Sequence, residues 1–273
     1  MKTIVVGTDF SVSSDNAATY AADMAVSLKA DLFLFHVFQM PVSYSEIPMA
    51  VNVDEIMQQA QEEVDKLKVE LLNRSSEPLN VTTSVFMGTF FEELKGIVER
   101  LNPYAVIIGT QGKTSTERFF FGSEAVYTLK NLHVPVIAVP PSARFNSIKN
   151  IGLACDFEDV AETTPIEAIK TLIADFKSEL HILNTGSQQN YSTDLSTQSG
   201  LMLALLADLK PHYHFIGNAD IDEGTLNFAY EKNIDLLIVL PKKHSFIEKL
   251  IHKSHTKEFA LHSHVPVMAL HKD

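Results

Sequence analysis

The order of motifs in residues 1–141 recurs in residues 149–270, and this recurrence limits the possible folds more than any single motif does. Lys149 to Phe157, KNIGLACDF, repeats the opening strand pattern and sets Asp156-Phe157 against Asp9-Phe10. Ser178-Glu179-Leu180 answers Ala30-Asp31-Leu32, Asn233 to Val239 answers Asn102 to Ile108, and His264 to Leu270 answers His133 to Val139. Two copies of one unit are the economical reading. Pro140-Pro141-Ser142-Ala143-Arg144 ends a strand and continues in small residues, so the boundary is expected after Arg144, giving domains 1–144 and 145–273.

Within the first copy, short apolar runs alternate with helix-period segments. Strands are expected at Thr3–Gly7, Leu32–Val37, Val81–Phe86, Tyr104–Ile108 and Val134–Val139. Between them Ala17, Ala21, Met24 and Leu28 share one helical face; Met57, Ala60, Val64, Leu67 and Leu71 share a second; Leu94, Ile97, Val98 and Leu101 share a third. Ser13 or Ser14 is the expected cap of the first helix. This alternation predicts an α/β fold, a five-stranded parallel sheet wound on both faces by helices and present twice.

One stretch carries chemistry. In YAVIIGTQGKTSTERFFFGSEAV, Tyr104 to Val126, a buried strand runs into an open loop and then a helix start. Gly109, Gly112 and Gly122, three of the chain's eleven glycines, fall inside it. Glycines accept positive φ and let a ligand approach the backbone, and the first amides of a helix carry unpartnered, partly positive N–H groups. Together these features suit a phosphate.

The pattern Gly109, two residues, Gly112, nine residues, Gly122-Ser123 resembles the ATP-binding signature of the universal stress protein family. Ile4 to Ala21 is similar to that family's opening strand and helix, and Val134 to Pro140 to its closing strand. The resemblance covers residues 1–141 and implies a Rossmann-like domain that binds ATP, with or without Mg²⁺. It also implies residue roles. Asp9, beside Thr8, would accept a hydrogen bond from the adenine or ribose, and Val37 would pack on the adenine. Gly109, Gln111 and Gly112 would follow the ribose and phosphates, Gly122 and Ser123 would donate to the terminal phosphates, and Lys113 would add charge at the rim. The two domains would pair through their last strands about a pseudo-two-fold, like a dimer fused into one chain. Association of two such chains is left open.

The second copy departs from the signature. An offset of 131 residues sets Gly109, Gly112 and Gly122 against Leu240, Lys243 and Lys253, and only Ser123 keeps its type, as Ser254. ATP is therefore not expected there. Lys242, Lys243, His244, Lys249, His252, Lys253, His255 and Lys257 crowd the segment instead. They read either as a solvated helix face or as a site for another anionic ligand. The leading expectation is a binding and regulatory protein with at most slow hydrolysis. The alternative is an ATP-dependent transferase or hydrolase acting on an anion held in the second domain.

Composition narrows the rest. A net charge of −12 opposes broad DNA binding. Splitting after Arg144 leaves 11 basic and 17 acidic residues in each half, so charge does not distinguish the copies. A single cysteine, Cys155, rules out an intrachain disulfide or a cysteine-built metal cluster. Nine of eleven histidines lie after residue 180, but no metal-ligand spacing follows from that. No apolar run reaches membrane-spanning length, and the first strand begins by Thr3, which predicts the cytoplasm. An NAD fingerprint is missing after the first strand, and Gly112-Lys113-Thr114 lacks the glycine five places earlier that a P-loop requires. No pairing of nucleophile with general base is evident, so no catalytic residue is assigned. Gln39 to Val53 reads as a loop, either a flap over the nucleotide or a disordered segment.

Overall fold

A computed structural model describes residues 1–40, 52–110, 123–184, 193–215, 221–241 and 265–272. Three parts of the reading above therefore fall outside the described residues: most of the Gln39–Val53 loop, the segment from Gln111 to Gly122, and the basic run from Lys242 to Lys257.

The first half follows the expected alternation: β1 (Thr3–Thr8), α1 (Val12–Leu28), β2 (Asp31–Phe38), α2 (Val53–Arg74), β3 (Val81–Met87), α3 (Phe90–Leu101), β4 (Ala105–Gly109), α4 (Ser123–Asn131) and β5 (Val136–Val139). The second half supplies β6 (Asn150–Cys155), α5 (Val160–Thr163), α6 (Ile166–Phe176), β7 (Glu179–Asn184), α7 (Thr193–Leu205), β8 (His212–Phe215), α8 (Ile221–Glu231), β9 (Leu236–Val239) and β10 (Val267–Ala269). All ten strands form one sheet in the order β3-β2-β1-β4-β5-β10-β9-β6-β7-β8. Each half thus has its own five strands, parallel throughout and in the same order outward from the centre. No described helix is long and apolar enough to cross a membrane.

The strand register reproduces the repeat. Val106 pairs with Val136 in the first half and Leu237 with Val267 in the second, each residue 131 places from its counterpart. At the seam β5 and β10 run antiparallel, with Ala138 opposite Val267, Ile137 opposite Met268 and Val136 opposite Ala269. Under that offset Ile137 and Met268 are each other's equivalents, so the pseudo-two-fold passes through their pair.

The core is continuous across this seam. On the α1 face it includes Ile4, Val6, Ile137, Met268, Ile151 and Leu153; on the opposite face Val5, Val106, Val136, Ala269 and Val239. The helical faces read from the sequence point inward: Ala17, Ala21, Met24, Val64, Leu67, Leu71, Leu94 and Ile97 are buried, while Met57 is exposed. The linker is held by α1. Asn16 Nδ2 donates to the carbonyls of Pro140 at 2.9 Å and Ala143 at 3.0 Å, and Arg144 donates to Asn16 Oδ1. Tyr20 then meets Phe145 edge-on at 5.3 Å, and Phe145 meets Phe176 of α6 at 6.3 Å.

The two halves differ after their first strands. α1 runs unbroken for 17 residues, whereas its counterpart ends after the four residues of α5 and resumes as α6 beyond Pro165. Proline lacks an N–H and disfavours helical geometry in the residue before it, so a break there is expected.

Candidate functional site

The strand order of the first half reverses direction between β1 and β4, and in such sheets a crevice opens there, beyond the carboxyl ends of the strands. The turn after β1 is built by short-range hydrogen bonds. Thr8 Oγ1 accepts from Phe10 N at 3.0 Å and lies 3.1 Å from Ser14 Oγ, and Asp9 Oδ1 accepts from Ser11 N at 3.1 Å. These bonds hold Phe10 at a φ of 58°, in the left-handed region that costs a non-glycine residue about 1 kcal/mol. The expected cap is corrected: Ser11, not Ser13 or Ser14, caps α1, and Ser14 closes a reciprocal capping box with it. All three serines carry a capping hydroxyl, but the left-handed Phe10 starts the helix at Val12.

His36 adds a link that the sequence reading missed. It stands opposite Thr8 in the β1–β2 register, its Nδ1 is 2.7 Å from the Thr8 carbonyl, and its ring lies 4.5 Å from that of Phe10. A carbonyl only accepts, so Nδ1 carries the proton. The signal available in the sequence was one polar residue in the otherwise apolar run Leu32 to Phe38.

Thr8 is buried, with its hydroxyl committed to the turn. Asp9 is half-buried at the lip of the crevice. Val37 lies within β2, one residue before its end, and packs against the α3 face. Ser123 is exposed and opens α4. Gln111, Gly112, Lys113 and Gly122 lie outside the described residues.

Gly109 ends β4 and corrects one piece of reasoning. Among the described glycines none has a positive φ, so left-handed geometry does not require this one. A Cβ on Gly109 would come within 2.9 Å of the carbonyl carbon, the carbonyl oxygen and Oγ of Ser13. The missing side chain lets the first turn of α1 close onto the end of β4. At the equivalent position of the second half, Leu240 is buried in the same cluster as Val160, the first residue of α5.

The post-strand turn itself is repeated. Phe157 has a φ of 57°, its N–H lies 3.3 Å from Cys155 Sγ, and Glu158 N donates to Asp156 Oδ1 at 3.0 Å. Its surroundings differ. Asn184 replaces His36 opposite the strand end, Gln198 Oε1 from α7 accepts from Val160 N at 3.0 Å, and Lys272 reaches the Ala161 carbonyl. Side chains of the chain itself occupy the start of α5, and the acidic residues Asp156, Glu158, Asp159 and Glu162 cluster around it.

Electrostatics mark one further residue of the first site. Glu124 is exposed, yet partial desolvation, and after it the nearby Asp9 carboxylate, raise its carboxyl above the ordinary range. Glu124 is the second residue of α4, so the helix start that would receive an anion carries a carboxylate coupled to Asp9.

A doubly wound sheet with its crevice at the strand-order reversal defines a fold class, and comparisons narrow it to a family. Residues 1–140 match the model of the universal stress protein family. A universal stress protein of Methanocaldococcus jannaschii is 27% identical over 139 residues, covering 50% of this chain and 81% of the relative. The crystal structure of a universal stress protein from Archaeoglobus fulgidus superposes with a TM-score of 0.71 at 15% identity, covering 99% of this chain and 98% of that one. A functionally unknown protein from Pseudomonas aeruginosa superposes at 0.57 with 11% identity, covering 99% and 92%. At these identities the two structures speak to the fold, both halves included. The chain belongs to the universal stress protein family.

Proposed function

We propose that residues 1–144 form a nucleotide-binding domain that holds one ATP, and that residues 145–273 form a second domain that holds none. The observation that carries this reading is the contrast between Gly109 and Leu240. At the end of β4 Gly109 carries no side chain and α1 closes beside it; at the equivalent place after β9 stands the buried Leu240. Family membership of residues 1–140 supports the same assignment.

In this reading Asp9 accepts from the adenosine, Val37 packs on the base, and Gly109 with Gln111, Gly112 and Lys113 follows the ribose and phosphates. Gly122, Ser123 and the first amides of α4 receive the terminal phosphates, since those amides have no partner inside the helix. Mg²⁺ offsets the Glu124 and Asp9 carboxylates. ATP acts as a regulatory ligand with at most slow turnover. Its occupancy reaches the second half through the shared core at the β5–β10 seam. The stress signal is read by the complex of protein and nucleotide.

Following bound ATP by chromatography over hours, with and without Mg²⁺, tests this. Intact stoichiometric ATP is expected; multiple turnovers would assign the protein to the enzymes. An anionic ligand in the second domain rests on the basic run from Lys242 to Lys257, and the acidic residues around α5 do not favour it.

A further inference from the structure

β8 is the outermost strand of the C-terminal half and is only four residues long. The β7–β8 ladder carries three imidazoles on one face. His181 lies opposite His212, and its Nδ1 is 3.2 Å from Nε2 of His214. The His181 ring lies 5.0 Å from that of His212 and 5.4 Å from that of His214, with interplanar angles of 28° and 18°. Phe228 of α8 covers the pair, 5.0 Å from His214 and 6.5 Å from His181. His181 is only 9% exposed, and its buried Nε2 has no hydrogen-bond partner. Among the described residues no three His, Cys, Asp or Glu side chains are disposed to hold a metal, so the chemistry available to these rings is proton uptake.

A contact between two ring nitrogens is a hydrogen bond only while one of them keeps its lone pair. A first proton can be shared, but its charge would sit under Phe228 with Lys232 and His212 nearby. A second proton leaves two N–H groups facing each other. Burial, then the neighbouring positive groups, hold both His181 and His214 below the ordinary histidine value of 6.5; Glu179, 3.7 Å from His212, pulls His181 weakly the other way.

We propose that the His181–His214 pair is an acid latch: at neutral pH it fastens β8 to β7, and uptake of the second proton in mild acid sets two N–H groups against each other and releases the edge strand. Both groups favour the neutral form in the folded chain, so their contribution is complete above the ordinary histidine value and is lost as pH falls through their folded values. The first half supplies an internal control. In the equivalent β2–β3 ladder Phe33 stands opposite Thr82 and Phe35 opposite Ser84, with nothing that titrates at those four positions.

Hydrogen exchange of the full chain, compared at about pH 7.5 and about pH 5 and corrected for the intrinsic pH dependence, reads the latch directly. Exchange at residues 212–215 should accelerate by about tenfold or more, while residues 81–87 stay protected. His181→Phe with His214→Ser, copying the first half, should abolish the acid response. Histidine proton NMR on the unaltered protein should show two imidazoles titrating below the ordinary value, and this holds even if the double variant fails to fold. Equal protection of β8 at both pH values, equal loosening of β3, an acid response surviving in the variant, or ordinary titration of both histidines would each overturn the proposal.

Discussion

The Tyr104 hydroxyl donates to Asp175 Oδ2 at 2.9 Å, joining the strand start of one half to α6 of the other. Lys2 Nζ completes the group, 2.5 Å from Asp175 Oδ1 and 4.7 Å from the centre of the Tyr104 ring. Burial first, then the hydrogen bond to Asp175 and its charge, push the tyrosine hydroxyl well above its ordinary value. The folded chain thus favours the protonated phenol. The stability it contributes is present below the ordinary value near 10 and is lost as pH rises above it. Tyr104→Phe should cost about 1 kcal/mol at neutral pH and flatten the alkaline loss, measured as urea midpoints across pH.

Ile137 is fully buried on the pseudo-two-fold, opposite Met268. Ile137→Ala removes core volume where both halves meet and should cost about 2–5 kcal/mol. Since the clusters on both faces cross the seam, calorimetry should show one lowered transition for the whole chain. Two separate transitions, with one unmoved, would mean that the halves fold independently.

Much of this organisation was legible in the sequence because the repeat carries the register with it. The offset taken from Val134–Val139 and Val265–Leu270 is the offset found in the β4–β5 and β9–β10 ladders. The alternating apolar runs located all five strands of the first half to within two residues. The misses have physical reasons. Ser11 was passed over because capping depends on the backbone of Phe10, which no local pattern displays. Gly109 was credited with turn geometry, but its need is close packing against Ser13, a contact over 96 residues of chain. The histidine group was unreadable because a crossover through α7 brings His212 and His214 beside His181. For the candidate site, Asp9 follows β1 and Ser123 opens α4 where the sequence pattern put a strand end and a helix start, whereas His36 emerged only from strand pairing and Glu124 only from its interaction with Asp9.

Gly109→Ala tests the packing role. The added Cβ meets backbone atoms of Ser13, which cannot swing aside as a flexible side chain would. The variant should lose about 1–3 kcal/mol of stability and bind ATP more weakly. Thermal melts with and without nucleotide separate the two effects. Unchanged stability would show that α1 can retreat.

Glu124→Gln should tighten binding of metal-free ATP and reduce its dependence on Mg²⁺. The folded site favours a protonated Glu124, so the opposing charge develops as pH rises through that raised value, and the glutamine lacks it. Calorimetric titrations with ATP, with and without Mg²⁺, read this as a smaller metal effect in the variant than in the parent chain.

Native mass spectrometry of freshly purified protein, repeated with Asp9→Ala, tests the central claim most directly because it counts ligands per chain. One adenine nucleotide on each 273-residue chain, lost in the variant, is the result predicted. Two nucleotides per chain, or one that survives the loss of Asp9, would contradict the assignment of a single site to the N-terminal half.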